Sequence, residues 1–146
     1  MAARLARVAS LEGPRQLVWR TEALPERIPD GELLCETIVT AISPGTEVAA
    51  YQGLPPLREG VAYPRVQGYC NVARVVSCGT GVTGFSAADR VLTFSSHRSH
   101  FTIPADQVLL RLPDAAVDGE TACSYLFHLG YNAVLRGGVR PGSRVL

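Results

Sequence analysis

Branched and other apolar side chains recur in short runs over the first two-thirds of the chain, separated by clusters of Gly, Pro and small polar residues. The longest β-forming run covers 71–78, NVARVVSC, where Val72, Val75 and Val76 suit a pleated surface. Gly79, Gly81 and Gly84 then mark tight turns, and a second apolar run follows over 91–94. Two strands joined by a Gly-rich corner are a barrel signature. Further strands are expected over 3–10, 16–19, 32–42, 101–103 and 108–112, with a loop over 52–63. The third of these stops at Ser43-Pro44-Gly45, because proline lacks the ladder donor and restricts the residue before it.

Two segments read differently. Residues 46–51 fit a short helical turn, with Thr46 as its cap and Glu47 near its positive end. Residues 121–136 carry one charged side chain, Arg136, among many apolar ones. A helix so apolar on most sides is expected to be sandwiched between layers. Gly137-Gly138 ends it, Pro141-Gly142 turns, and residues 143–146 begin a strand. Helix, turn and strand start form half of an α/β crossover, so the chain reads as the front portion of a longer protein. A complete small barrel with a strand-like tail is the alternative.

A length of 146 residues is enough for one domain and its core. With a net charge of +1 and no dense Lys/Arg cluster, nucleic-acid binding lacks its usual footprint. No apolar run approaches the length of a membrane span, and the opening ten residues read as a strand rather than a secretory signal. The cysteines, at 35, 70, 78 and 123, include no pair two or three apart, so reduced buried thiols in a cytoplasmic protein are expected. Gly79-Thr80-Gly81 is no phosphate loop, since a strand follows it where that motif needs a helix.

The order of several motifs is more specific. AISPGTE at 41–47, YPRVQGY at 63–69, GTGVTGFSAADRV at 79–91, FTIPADQVLLRLPD at 101–114 and GYNAVLRGGVRPGSRVL at 130–146 resemble the medium-chain dehydrogenase/reductase superfamily. Ala88 stands where that family's pattern has Gly. The resemblance implies a mostly β fold: a GroES-like, partly open barrel over 1–116, then a connecting helix and the first strand of a truncated Rossmann α/β domain over 117–146. It implies an oxidoreductase that moves hydride between NADP or NAD and a carbonyl, activated alkene or alcohol, the cofactor being held mainly by residues beyond this chain. No Gly-rich nucleotide fingerprint occurs within the 146 residues, so tight dinucleotide binding by them alone is not expected. The SPGTE string is similar to that of bacteriochlorophyllide-type dehydrogenases, which points to a bulky substrate. A small-molecule substrate is implied, with a homodimer admitted for the full-length protein and neither nucleic acid nor membrane as partner.

Many members of that family hold catalytic zinc, and the resemblance locates the three ligand positions. The segment at 43–47 offers no Cys, the Gly-His-Glu motif reads Gly68-Tyr69-Cys70, and the third position is Tyr125. Neutral hydroxyls are poor zinc ligands, so a zinc-free variant is expected. Without metal, carbonyl reduction needs another acid. Tyr69 and Thr46 are the catalytic candidates, the phenol donating in its neutral form and Thr46 resembling the family's proton-relaying hydroxyl. Tyr69 reads equally as a bulky plug in the vacated ligand position, and Thr46 as a plain helix cap. Ser43, His97, Tyr125 and His128 are implied to border the substrate, and Thr46 and Leu129 the cofactor. His128 shares a polar strip with Thr121, Tyr125 and Asn132 by helical spacing, which serves a site or a satisfied hydrogen bond. Cys70 and Cys123 are read as small buried hydrophobes. A binding module that has lost its chemistry along with its metal ligands is the second functional class.

Overall fold

A computed structural model describes residues 4–55 and 62–145. Eight strands form two antiparallel sheets. The smaller has the order β2-β1-β4, from Leu5–Gly13 (β1), Gln16–Ala23 (β2) and Arg65–Val66 (β4). The larger has the order β7-β3-β5-β6-β8, from Glu32–Thr40 (β3), Asn71–Cys78 (β5), Arg90–Thr93 (β6), His100–Pro104 (β7) and Leu110–Arg111 (β8). The sheets do not close into a barrel, and three helices complete a mixed α/β fold: Pro44–Gln52 (α1), Asp118–Ala122 (α2) and Ser124–Arg136 (α3).

The β-forming run over 71–78 is strand β5. Val72, Ala73 and Val75 of β5 are buried while Arg74 and Val76 face outward. Ala73 and Val75 join Leu33, Cys35, Val91, Phe101 and Ile103 of the flanking strands in one core cluster, while Val72 packs on the other face with Leu112 and Ala122. β5 ends at Gly79, where a Cβ would lie 2.1 Å from the Pro29 carbonyl oxygen. The corner after β5 therefore requires a glycine for close backbone approach.

Several expectations need correction. Helix α1 starts at Pro44, with Ser43 at its N-cap, so Thr46 lies inside the first turn and does not cap it. Proline at the first helical position is preset for the helix and has no donor to lose. Residues 121–136 are not one helix: the backbone breaks at Cys123 between α2 and α3. The expected strand over 108–112 shrinks to Leu110–Arg111, preceded by a 3₁₀ turn over Ala105–Gln107. Residues 143–145 form no strand, since none of the described strands runs beside them to complete a ladder. The expected loop at 52–63 is partly outside the described residues, at 56–61. Finally, α3 is not sandwiched. Phe127, Leu129, Tyr131 and Leu135 stay exposed among the described residues, and only Ala122 of α2 is buried against the sheet core.

One arginine fixes where these helices begin. Arg90, the Arg of the ADRV string, donates to the carbonyl oxygens of Pro113, Asp114 and Ala116 and to Asp118 Oδ1, the last at 2.6 Å. Its planar fork meets four acceptors at once, which suits guanidinium chemistry and locks the 113–118 segment onto β6. This anchor sets the position from which Cys123 and Tyr125 follow.

Candidate functional site

Residues 67–70 run as a strap between α1 and the loop after β6. The backbone N–H of His97 donates to the Gln67 carbonyl at 2.7 Å, and the Cys70 carbonyl accepts from Ala41 at 2.9 Å. Gly68 has φ of +93°, and a Cβ there would lie 2.7 Å from the His97 ring and its backbone nitrogen. Only glycine lets the strap pass this close to the imidazole.

At the C-terminal end of the strap, Tyr69 meets Tyr125 of α3. The ring centroids are 5.6 Å apart with planes at 87°, and Tyr125 makes a second edge contact with Phe94 at 5.4 Å. Such T-shaped pairs add about 0.5–1.5 kcal/mol beyond area burial. Tyr69 is half-buried and Tyr125 is 38% exposed, so the phenols are reachable rather than entombed. Two of the three positions named from the sequence therefore converge.

On the inner side of the strap, Glu47 and His97 form a second, buried unit. Glu47 Oε2 lies 2.7 Å from His97 Nε2, and Oε1 accepts the backbone N–H of Ser43 at 2.9 Å. His97 Nδ1 is 2.8 Å from Thr40 Oγ1. A carboxylate oxygen accepts, so Nε2 donates to Glu47 while Nδ1 pairs with the Thr40 hydroxyl, which can fill either role. Between the two units sits Cys70, whose thiol is pushed up to about 11 by burial, then by the Glu47 carboxylate and by Cys123. A thiol so poised is a poor nucleophile at neutral pH.

The remaining candidates separate. His128 is exposed on α3 and accepts a hydrogen bond from Asn132 at 2.8 Å, while Thr121 bonds back to the Val117 carbonyl instead of joining that strip. Leu129 is 48% exposed, and Thr46 makes no side-chain hydrogen bond among the described residues. Glu47 was read from the sequence only as a helix-end carboxylate, because nothing in spacing links positions fifty residues apart.

The donor set does not suit zinc. Ser43, Thr46, Tyr69 and Tyr125 present neutral hydroxyls, and both nitrogens of His97 are engaged. Among the described residues no group of three His, Cys, Asp or Glu side chains is placed to hold a metal ion. A dinucleotide finds no phosphate cradle on α1 either. Pro44 removes one donor there, and the Glu47 carboxylate already occupies another. No described helix is long and apolar enough to cross a membrane.

No protein-family model matches the chain. It is 39% identical over 87 residues to a 2-desacetyl-2-hydroxyethyl bacteriochlorophyllide A dehydrogenase of Cereibacter sphaeroides, a match covering 60% of this chain and 27% of that protein. It is 35% identical over 83 residues to an uncharacterized zinc-type alcohol dehydrogenase-like protein of Haemophilus influenzae, covering 56% of this chain and 23% of that one. Matched residues thus span about a quarter of the length of these relatives. Among solved structures, Escherichia coli quinone oxidoreductase complexed with NADPH superposes with a TM-score of 0.64 at 25% identity, over 90% of this chain and 40% of that one. The chain is medium-chain dehydrogenase/reductase-like, with a GroES-related fold and kinship to oxidoreductases of the quinone-reductase type.

Proposed function

We propose that this chain is the substrate-side portion of a zinc-independent, NAD(P)-dependent oxidoreductase, with residues 1–116 as its GroES-like domain and 117–146 leading into a nucleotide-binding domain. The observation that carries this reading is the meeting of Tyr69 and Tyr125, at the positions where the resemblance locates metal ligands. The cofactor would supply hydride to a carbonyl or activated alkene. The chain's own residues would bind the substrate and manage its proton. A neutral phenol at Tyr69 holds a proton at Oη and can give it to a developing alkoxide or enolate. Tyr125, itself braced by Phe94, fixes the Tyr69 ring so that little motion is needed at the moment of transfer. Thr46, whose hydroxyl is not committed to a cap, orients substrate or passes a proton outward.

The exposed apolar side of α3, with Phe127, Leu129 and Tyr131, supports a neighbouring layer in the whole protein. Leu129, His128 and Ser43 are assigned to the cleft on the resemblance alone. The kinship to a bacteriochlorophyllide dehydrogenase favours a bulky substrate with an extended ring system. The test is oxidation of NADPH and NADH by the full-length protein, followed at 340 nm, against quinones, enones and aromatic ketones. Turnover with one of these classes supports the proposal. Failure to turn over any of them, together with failure to bind either dinucleotide, would favour the binding-module reading, in which the same aromatic contacts seal the former metal position.

A further inference from the structure

A cavity of about 260 Å³ lies between the β1–β2 hairpin and the 97–99 segment, and neither Tyr69 nor Tyr125 lines it. Its walls carry positive charge and hydrogen-bond donors. Arg7 and Arg98 contribute guanidiniums, Thr37, Thr40 and Ser99 hydroxyls, Trp19 a broad apolar face and His97 an imidazole whose nitrogens are held by Thr40 and Glu47; no Asp or Glu lines it.

The state of each group decides what the cavity can take. The Arg7 guanidinium sits 5.0 Å from the Trp19 ring centroid, a cation–π pair, and no described carboxylate lies within ion-pairing distance of it. Stacking orients Arg7 without neutralising it. Arg98 is steered by Ser96 Oγ at 2.7 Å and by Glu22 at 3.5 Å, which leaves part of its five-donor fork unused. Thr37 Oγ1 accepts from Asn71 Nδ2 at 2.9 Å, so its own proton is left to donate. The Asn71 orientation is fixed because the same Nδ2 also reaches the Ser96 carbonyl, which can only accept. Thr40 is committed to His97, and Ser99 Oγ accepts the Arg7 backbone N–H at 2.9 Å and meets His100 Nδ1 at 3.1 Å, so both of its hydrogen-bonding roles are taken. The uncommitted donors are therefore the Arg7 guanidinium, the unused part of the Arg98 fork and the Thr37 hydroxyl proton, beside an indole wall.

We propose that this cavity is a second ligand site, taking a small planar molecule that bears an oxyanion, with an aromatic carboxylate as the fitting class. Paired guanidiniums recognise carboxylate oxygens through charge-assisted bonds, and the ring of the ligand lies against Trp19. The volume is just below the range for drug-sized ligands, which suits one ring and one acid group. The site stands apart from the proposed chemistry at Tyr69, and its failure leaves that reading untouched.

Trp19 is the one tryptophan of the 146-residue chain, so its fluorescence reports the site directly. The experiment titrates this chain with benzoate, exciting on the red edge of the indole band, and repeats it with benzamide, which has the same shape and no charge. Saturable quenching by benzoate and none by benzamide is expected. Arg7→Gln, which keeps a polar side chain and loses the charge, should weaken benzoate by about tenfold or more, the loss of one charge-assisted bond. Arg98→Gln should do the same and serves if the first variant folds poorly. Tyr69→Phe should titrate as the parent does. Equal response to benzamide and benzoate, an unsaturating response, or unchanged affinity in both arginine variants overturns the proposal.

Discussion

Glu47 and His97 stand 50 positions apart and share a hydrogen bond of 2.7 Å, with side chains only 8% and 13% exposed. The pair joins the first turn of α1 to the loop after β6, and the glycine at 68 gives the imidazole its room. It is the part of the molecule where one substitution should have consequences on both sides of the strap.

Removing one partner leaves the other without compensation. His97→Ala should destabilise by about 3 kcal/mol, because the Glu47 carboxylate loses its buried donor. Gly68→Ala should also destabilise, through its positive φ and the 2.7 Å approach to the ring. Combined, the two should cost clearly less than their sum, since the ring that the new methyl would strike is gone. Urea unfolding of the four proteins in the cycle reads the coupling. Strict additivity would mean that the strap and the imidazole are not packed as described.

Ala88 is the sequence's departure from the family pattern, and the structure gives it φ of +74° on an exposed corner. A Cβ in the left-handed region costs about 1–2 kcal/mol, against a smaller entropic penalty for glycine. Ala88→Gly should therefore stabilise by about 0.5–1 kcal/mol, with no packing to lose. A higher thermal midpoint checks it, and an unchanged or lower one counts against the corner geometry.

The departures at 69, 88 and 125 were legible because each is a local substitution in an ordered string of motifs. The strands were legible for a related reason: the branched run over 71–78 and the glycines after it are short-range signals. The Glu47–His97 pair was not, since its partners are joined only by the folded path of the strap. Helix α1 was placed two residues late because Pro44 reads as a strand stop and as a helix start with equal force. The apolar character of 121–136 was read as demanding a layer on most sides, whereas Phe127, Leu129, Tyr131 and Leu135 are exposed among the described residues.

Cys35 sits fully buried in β3, and burial, with Cys78 adding to it, pushes its thiol from 9.0 up to about 12. Below pH 9 the thiol is neutral in both folded and unfolded chains, and its full contribution to stability is present. Between that value and about 12 the unfolded chain releases the proton while the folded one keeps it, so stability falls as pH rises. Cys35→Ala should unfold with a shallower loss of stability above pH 9, by up to about 1.4 kcal/mol per pH unit. Urea midpoints measured from neutral pH into that window check this, and parallel slopes for the two proteins would sink it.

The contact of Tyr69 with Tyr125 separates two roles for the phenol. Removing only the hydroxyl, Tyr69→Phe, keeps the ring and hence the edge-on packing at 5.6 Å. If Tyr69 protonates the substrate, turnover in the full-length protein should fall by ~10²–10⁴-fold, the range for a positioned general acid, with dinucleotide affinity unchanged. Tyr125→Phe should leave turnover far closer to the parent, because the proposal gives that ring the work of support. Tyr69→Ala removes the ring as well and should destabilise by about 3 kcal/mol, the low end for aromatic truncation, since the side chain is half-buried. A Tyr69→Phe protein with parental turnover would make the residue a plug. The acid would then have to be sought at Thr46 or in solvent.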